Sequence, residues 1–487
     1  MSRSIKVYGG GAAIASARTA PFALLLLILV AVPGCAEMPW RAERETPPSS
    51  AQIYVGNSPL AAEPLSTTID ITHEYTLVEL IDLAQRSNPE TREAWQQARA
   101  AAARLGGAEA IYLPWVMLTA AGGARRAVFP VPTGTFSAVG PFIEPKLQLA
   151  WTLLDLSRFA QISEMRARVA QANFAFTRRH QEVFFAVARA YYALDSSRAQ
   201  LEAARATLRS AMVVEEAADA RLASGLATRP ELLLAREART RAAFDVEAAI
   251  GSVRTAEGAL SESVGVSPSP PLQVASWTRP ETAVLTRSVE ELMQKALAER
   301  PDLKAQRAVV LASRASERSA KGRFAPRLFL DGDVGYDFWQ FRATPPGSSF
   351  TLSEPEFDVH LRLDWDLFTG FQHVEQLHEA EADRDASEAA LAADSLRALR
   401  EVWTAYFDVK TAERKIEFAE ALLTASEEAY EASLETYRRG LGTLVDLLTA
   451  ERDLADARGV AIASRAELWT AAASLTLAMG ASAPSAP

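Results

Sequence analysis

From Phe357 to Leu367 apolar and polar residues alternate without a break. Phe357, Val359, Leu361, Leu363, Trp365 and Leu367 take every second place, and Asp358, His360, Arg362, Asp364 and Asp366 lie between them. Successive side chains of a strand point to opposite faces, so this period predicts a strand with one apolar and one charged face. The same alternation runs through Leu147, Leu149, Trp151 and Leu153 against Lys146, Gln148, Ala150 and Thr152, and through Leu328, Leu330, Val334, Tyr336 and Phe338 against Asp331, Asp333 and Asp337. A fourth strand is predicted from Trp115 to Val128, where the pattern is weakest. Two settings give such strands: a sheet half-buried in a soluble core, or strands standing between lipid and water.

Elsewhere the period is helical. Residues 156–224 and 371–439 contain neither Gly nor Pro, 69 residues each, enough for helices of roughly 100 Å at 1.5 Å per residue. Alanines abound in them, and apolar residues such as Phe174, Val183, Val187, Tyr191 and Leu194 recur at helical spacing; small side chains let helices approach closely, which predicts side-by-side coiled packing. Gly225 and Gly440 end these helices, and return helices follow over about Pro230–Val264 and Val445–Met479. Upstream, Thr76 with Glu79 and Ser288 with Glu291 have capping-box spacing, so each strand pair is preceded by a short helix that stops before Pro89 or Pro301 and a second that runs to about Tyr112 or Phe324.

The chain thus says the same thing twice. Asn88-Pro89 and Leu113-Pro114-Trp115 match Arg300-Pro301 and Ala325-Pro326-Arg327 at an offset of 212, the Trp151 and Trp365 strands match at 214, and the Gly225 and Gly440 turns at 215. A duplication this long fixes the architecture before any motif is read. The repeats cover 75–264, with its strand pair at about 114–155, and 288–480, with its pair at about 326–367. A Pro-rich linker, 265–287, joins them, and 481–487 form a tail.

Ahead of the repeats, Arg3, Lys6 and Arg18 precede an apolar run from Phe22 to Val32 that is too short to span a bilayer. Residues 1–34 look like a bacterial lipoprotein signal peptide, with Cys35, the only cysteine of the chain, as the lipidated residue and 35–74 as a tether; an ordinary secretory signal is the other reading. The formal charge of -10, with no basic patch standing out, argues against a nucleic-acid partner. Catalysis finds no support: there is no phosphate-cradling glycine loop followed by lysine, and His373 and His378 are wrongly spaced for two metal ligands on one helical face. Neither a metal nor a cofactor is expected. A periplasmic lipoprotein adaptor, or a structural coiled-coil protein without a pore, would also carry long helices, but would not need amphipathic strand pairs in both repeats.

This order of elements resembles the TolC-like outer membrane factors, lipoprotein branch. The residues that carry the resemblance are the repeat openings from Tyr75 to Pro89 and from Val289 to Pro301, the proline before each strand pair, and the turns Gly225-Leu226-Ala227-Thr228 and Gly440-Leu441-Gly442-Thr443 followed by Asp446-Leu447-Leu448. The resemblance implies a mainly α chain with membrane β-structure: a tandem-duplicated helical barrel and a homotrimeric, twelve-stranded transmembrane barrel with four strands per chain. It implies a lipid-anchored channel-tunnel in the bacterial outer membrane that extends into the periplasm and works with a periplasmic adaptor and an inner membrane pump. Phe129–Pro141 and Gln340–Pro355 are then expected as external loops. The two glycine turns become adaptor-docking tips, with Gly225 and Gly440 intolerant of bulky residues. Asp446 matches a position lining the periplasmic constriction, and Tyr437 and Glu231 match positions that hold the tip closed, although Gly442 stands where a basic residue is expected. Asp446, Thr449, Asp453 and Asp456 share one helical face, predicting anionic rings in a trimer. Cargo stays open among drugs, metal ions and proteins, with a lipid anchor leaning toward small-molecule efflux.

Overall fold

The computed structural model describes residues 70, 72–132, 134–275, 287–344 and 349–481; the expected signal peptide, Cys35, most of the expected tether, part of the linker and nearly all of the tail lie outside them. The first repeat runs α1 (Leu77–Ser87), α2 (Pro89–Glu109), a 3-10 turn (Ala110–Tyr112), β1 (Trp115–Val131), β2 (Gly134–Leu154), α3 (Leu156–Ala223) and α4 (Arg229–Val264). The second runs α5 (Val289–Glu299), α6 (Pro301–Gly322), β3 (Arg327–Thr344), β4 (Ser349–Asp364), α7 (Gln372–Arg438) and α8 (Leu444–Ala478).

Local signals start and stop these elements. Thr76 and Glu79 close a capping box at α1, and the prolines at the starts of α2 and α6 occupy first-turn positions, where the missing N–H costs nothing. The turn before each of those prolines is tied to the end of its return helix. Asn88 donates to the Ser263 carbonyl at 2.8 Å, and the equivalent Arg300, 3% exposed, donates to the Ala478 carbonyl at 3.1 Å. Arg300 is charged where Asn88 is not, and its burial is offset by ion pairs to Asp302 at 2.6 Å and Glu401 at 2.8 Å.

Each repeat has its own core. Leu80 and Ala84 of α1 pack on Val187, Tyr191 and Leu194 of α3 and Leu260 of α4. In the second repeat Leu292 and Ala296 of α5 pack on Val402, Tyr406 and Val409 of α7 and on Leu475 of α8. A third core at the far end of the hairpins joins the repeats: Val214 and Ala218 of α3 and Leu232 and Ala235 of α4 meet Tyr430 and Tyr437 of α7 and Leu447 and Leu454 of α8.

At the other end the strands form one antiparallel sheet in the order β1-β2-β3-β4. β1 and β4 are its edges. The expected loops are corrected here: Phe129–Val131 and Gly134–Pro141 belong to β1 and β2, paired residue for residue, and Gln340–Thr344 and Ser349–Pro355 belong to β3 and β4. Conversely, β4 stops at Asp364, so Trp365 and Leu367 lie in the link to α7. The indole of Trp365 donates there to the Phe324 carbonyl at 3.1 Å, as that of Trp151 does to the Tyr112 carbonyl at 2.7 Å, fastening each strand pair to the turn that precedes it.

Candidate channel wall and periplasmic gate

Register places like with like across the sheet. Leu118, Leu147, Val334 and Phe357 are successive cross-strand partners, and Leu330 pairs with Leu361. These side chains are largely exposed in the single chain, Phe357 by 81% and Leu361 by 64%. An apolar face this size without a cover requires a partner or lipid. The opposite face carries ion pairs: Arg362 to Asp331 at 2.8 Å, and Lys146 of β2 to Glu356 of β4 at 2.8 Å. Gly335 lies between those last two in the register, and a Cβ on it would sit 2.6 Å from the Lys146 Cγ, so only glycine lets the lysine cross β3.

Toward the hairpin turns the two faces exchange character. On the charged side Phe129, Phe136, Phe142, Trp339, Phe341 and Phe350 follow one another, with Trp339 and Phe341 rings 4.7 Å apart and the Arg125 guanidinium 4.3 Å from the Phe142 ring. On the side that was apolar, Arg126, Gln340, Arg342, Thr351 and Ser353 are exposed. On β3 and β4 the alternation continues with its phase reversed, while Val128 of β1 and Val139 of β2 stay exposed on the formerly apolar side.

At the other end of the molecule both hairpins close with the same turn. Gly225 (φ 70) and Gly440 (φ 79) take the left-handed conformation, and Leu226 N–H reaches the Arg221 carbonyl at 2.8 Å as Leu441 N–H reaches Thr436 at 2.9 Å. A Cβ on either glycine would meet nothing within 4 Å, so substitution there costs backbone strain and not a clash. Thr228 with Glu231 and Thr443 with Asp446 form capping boxes on α4 and α8. Leu226 and Leu441 project outward, 69% and 79% exposed.

Asp446, Thr449, Asp453 and Asp456 all lie exposed on one side of α8. Asp446, Thr449 and Asp453 line a groove against Ala425, Ser426 and Ala429 of α7. Asp446 also caps its own helix, its carboxylate accepting from the Thr443 hydroxyl at 2.6 Å. Tyr437 is 1% exposed and its hydroxyl has no hydrogen-bond partner; burial pushes the phenol up, the Arg221 guanidinium pulls it down, and the Glu231 charge adds to the rise. Glu231 is turned back to the Thr228 N–H at 3.4 Å. The residue that engages Tyr437 is Arg221 of α3, which the sequence reading missed. Its guanidinium lies 4.5 Å from the ring and donates to the Tyr437 carbonyl at 2.6 Å and the Leu226 carbonyl at 3.2 Å, joining the two tips.

The outer membrane efflux protein family model matches residues 80–266 and 292–481, and therefore both repeats. The chain belongs to this family. Protein CyaE of Bordetella pertussis is 29% identical over 426 residues, covering 87% of this chain and 88% of that protein. Among solved structures, the outer membrane protein VceC of Vibrio cholerae is 21% identical with a TM-score of 0.71 over 83% of this chain and 96% of its own. The CmeC outer membrane channel of Campylobacter jejuni is 17% identical with a TM-score of 0.73 over 83% of this chain and 85% of its own. At these identities the structural likeness concerns the fold. As an outer membrane efflux protein, the chain forms the outer membrane channel-tunnel of a tripartite efflux or secretion system, reaching into the periplasm and conducting passively. The family is one of channels and not of enzymes; its members form trimers and work with adaptors and inner membrane pumps.

Proposed function

We propose that three copies of this chain close one twelve-stranded barrel, apolar faces to lipid and charged faces to the pore. The observation that carries this is the open sheet: β1 and β4 present unpaired edges in a setting where lipid offers no hydrogen bonds, and only closure removes them. Residues 1–34 are a signal peptide, Cys35 the lipidated first residue of the mature protein, and 35–74 its tether. Lipid adds anchoring to a barrel already embedded, so its loss weakens attachment without abolishing the channel. The Gly225–Thr228 and Gly440–Thr443 turns dock a periplasmic adaptor through the projecting Leu226 and Leu441, and an inner membrane pump delivers the substrate. Small molecules are the favoured cargo.

The Asp446, Thr449, Asp453 and Asp456 stripe makes the gate lining, and Tyr437, Glu231 and Arg221 form the latch behind it. Arg221 replaces the basic residue whose place Gly442 takes. Stacked carboxylates attract cations, so trimers in planar bilayers conduct cations in preference to anions and are blocked by divalent ions from the periplasmic side. Asp446→Asn with Asp453→Asn abolishes both properties. Unchanged selectivity and block in that double variant would leave the stripe a solvated helix surface, and a stable monomer in native mass spectrometry would remove the trimer itself.

A further inference from the structure

Glu451 of α8 is 6% exposed, and neither of its carboxylate oxygens has a hydrogen-bond partner. It occupies the helix face between Leu447 and Leu454, which are 0% and 2% exposed and belong to the third core, away from the exposed Asp446 stripe. A carboxylate in such a place is costly when ionised unless a cation or donors meet it. None of the charged groups on the helices that share this core pairs with it. Arg221 of α3 is on Tyr437 and the tip carbonyls, Glu231 of α4 is in its cap, and the Tyr430 phenol of α7, which is raised by burial and by the Glu451 charge, bonds Ser210 of α3, with Arg438 of α7 and Arg458 of α8 acting on it in the opposite sense. Burial alone therefore sets the Glu451 carboxyl, holding it up at about 7 against an ordinary 4.5.

The duplication supplies an independent comparison. At the offset of 215 the first repeat has Arg236 where the second has Glu451, and Glu215 where it has Tyr430. Arg236 and Glu215 form an ion pair at 3.2 Å with the arginine 55% exposed. The same backbone position holds a solvated, partnered charge in one hairpin and a buried, unpartnered acid in the other.

We propose that Glu451 is a proton switch of the periplasmic tip: protonated, it leaves α8 packed on α3 and α7; ionised, it loosens that seam and favours the open tip. The acid binds its proton more tightly when packed than when exposed, so the packed tip is most stable below about 4.5 and loses stability as the pH rises through about 7. Full exposure on opening would raise the open-to-closed ratio about 30-fold between pH 5.5 and 8. The inference rests on the tip reading above, but its test does not depend on conductance.

Hydrogen exchange of the assembled full-length protein in detergent, followed by mass spectrometry over residues 219–231 and 437–454, compares wild type with Glu451→Gln at the same pH, so that intrinsic exchange rates cancel. The two proteins are expected to match at pH 5.5; at pH 8 the wild type exchanges at least several-fold faster in these segments. Equal protection at pH 8, or a difference that persists unchanged at pH 5.5, overturns the proposal. Glu451→Met, neutral and apolar, should reproduce the glutamine result, and serves in its place if glutamine disturbs assembly. If bilayer conductance fails while the exchange difference holds, the gate reading falls and the switch stands.

Discussion

Glu215 and Arg236 tie the first hairpin together with an ion pair whose arginine is half exposed, whereas their counterparts Tyr430 and Glu451 lie buried in the second without an ion pair. The backbones hardly differ there: both turns have a left-handed glycine, the same carbonyl contacts and a capping box three residues beyond a threonine. Duplication has kept the frame and let the side chains diverge. The first hairpin holds an ion pair at the position where the second holds the buried acid of the proposed switch. On that proposal, the first hairpin serves as a control for the second.

The comparison can be broken at several levels. Leu260 and Leu475 are repeat equivalents, 1% and 4% exposed, in the two parallel cores; each changed to Ala should cost about 2–5 kcal/mol, read as similar drops in denaturant midpoint. A much smaller cost at one site would mean that the repeats do not share the load. Leu147→Arg and Leu361→Arg, equivalent positions on the lipid face, should each impair insertion by about 2–4 kcal/mol, measured as the yield of heat-resistant trimer, while Asp364→Arg on the polar face should leave that yield unchanged. Arg221→Ala should loosen the tips by about 1–3 kcal/mol through its lost stacking and carbonyl bonds. Its equivalent, Thr436→Ala, loses only bonds within its own helix and should shift tip exchange by less than about 0.5 kcal/mol. Arg236→Ala removes a largely exposed pair for under about 1 kcal/mol and should leave the pH profile of tip exchange untouched.

The helices were legible because two long stretches lack both Gly and Pro, and the strands were legible where Phe357 to Leu363 alternate against charges. Their distal thirds were not. Pro130, Gly134, Gly140, Pro141 and Pro355 read as turn residues but are accommodated within paired strands, and the reversal of phase after Phe338 erases the apolar rhythm that marks the lower part. Arg221 and Glu451 were illegible for a different reason. On a helix, Arg and Glu read as solvated, and only the packing of α3 and α4 on α7 and α8 decides that the Leu447 stripe, rather than the Asp446 stripe, is the buried one.

The exchange of faces along the strands also sets how deep the protein can sit. On β3 the outward apolar residues run from Leu328 to Phe338, ten residue steps, which is about 33 Å along the strand and about 24 Å in height at a 45° tilt, the thickness of an outer-membrane apolar band. Two residues later Gln340 and then Arg342 face the same way. Sinking the barrel further would drag those groups into hydrocarbon, and raising it would bring the apolar band into water. In the proposed barrel the hairpins therefore stand clear of the bilayer with their aromatic side turned inward, and the strands carry their own draught mark.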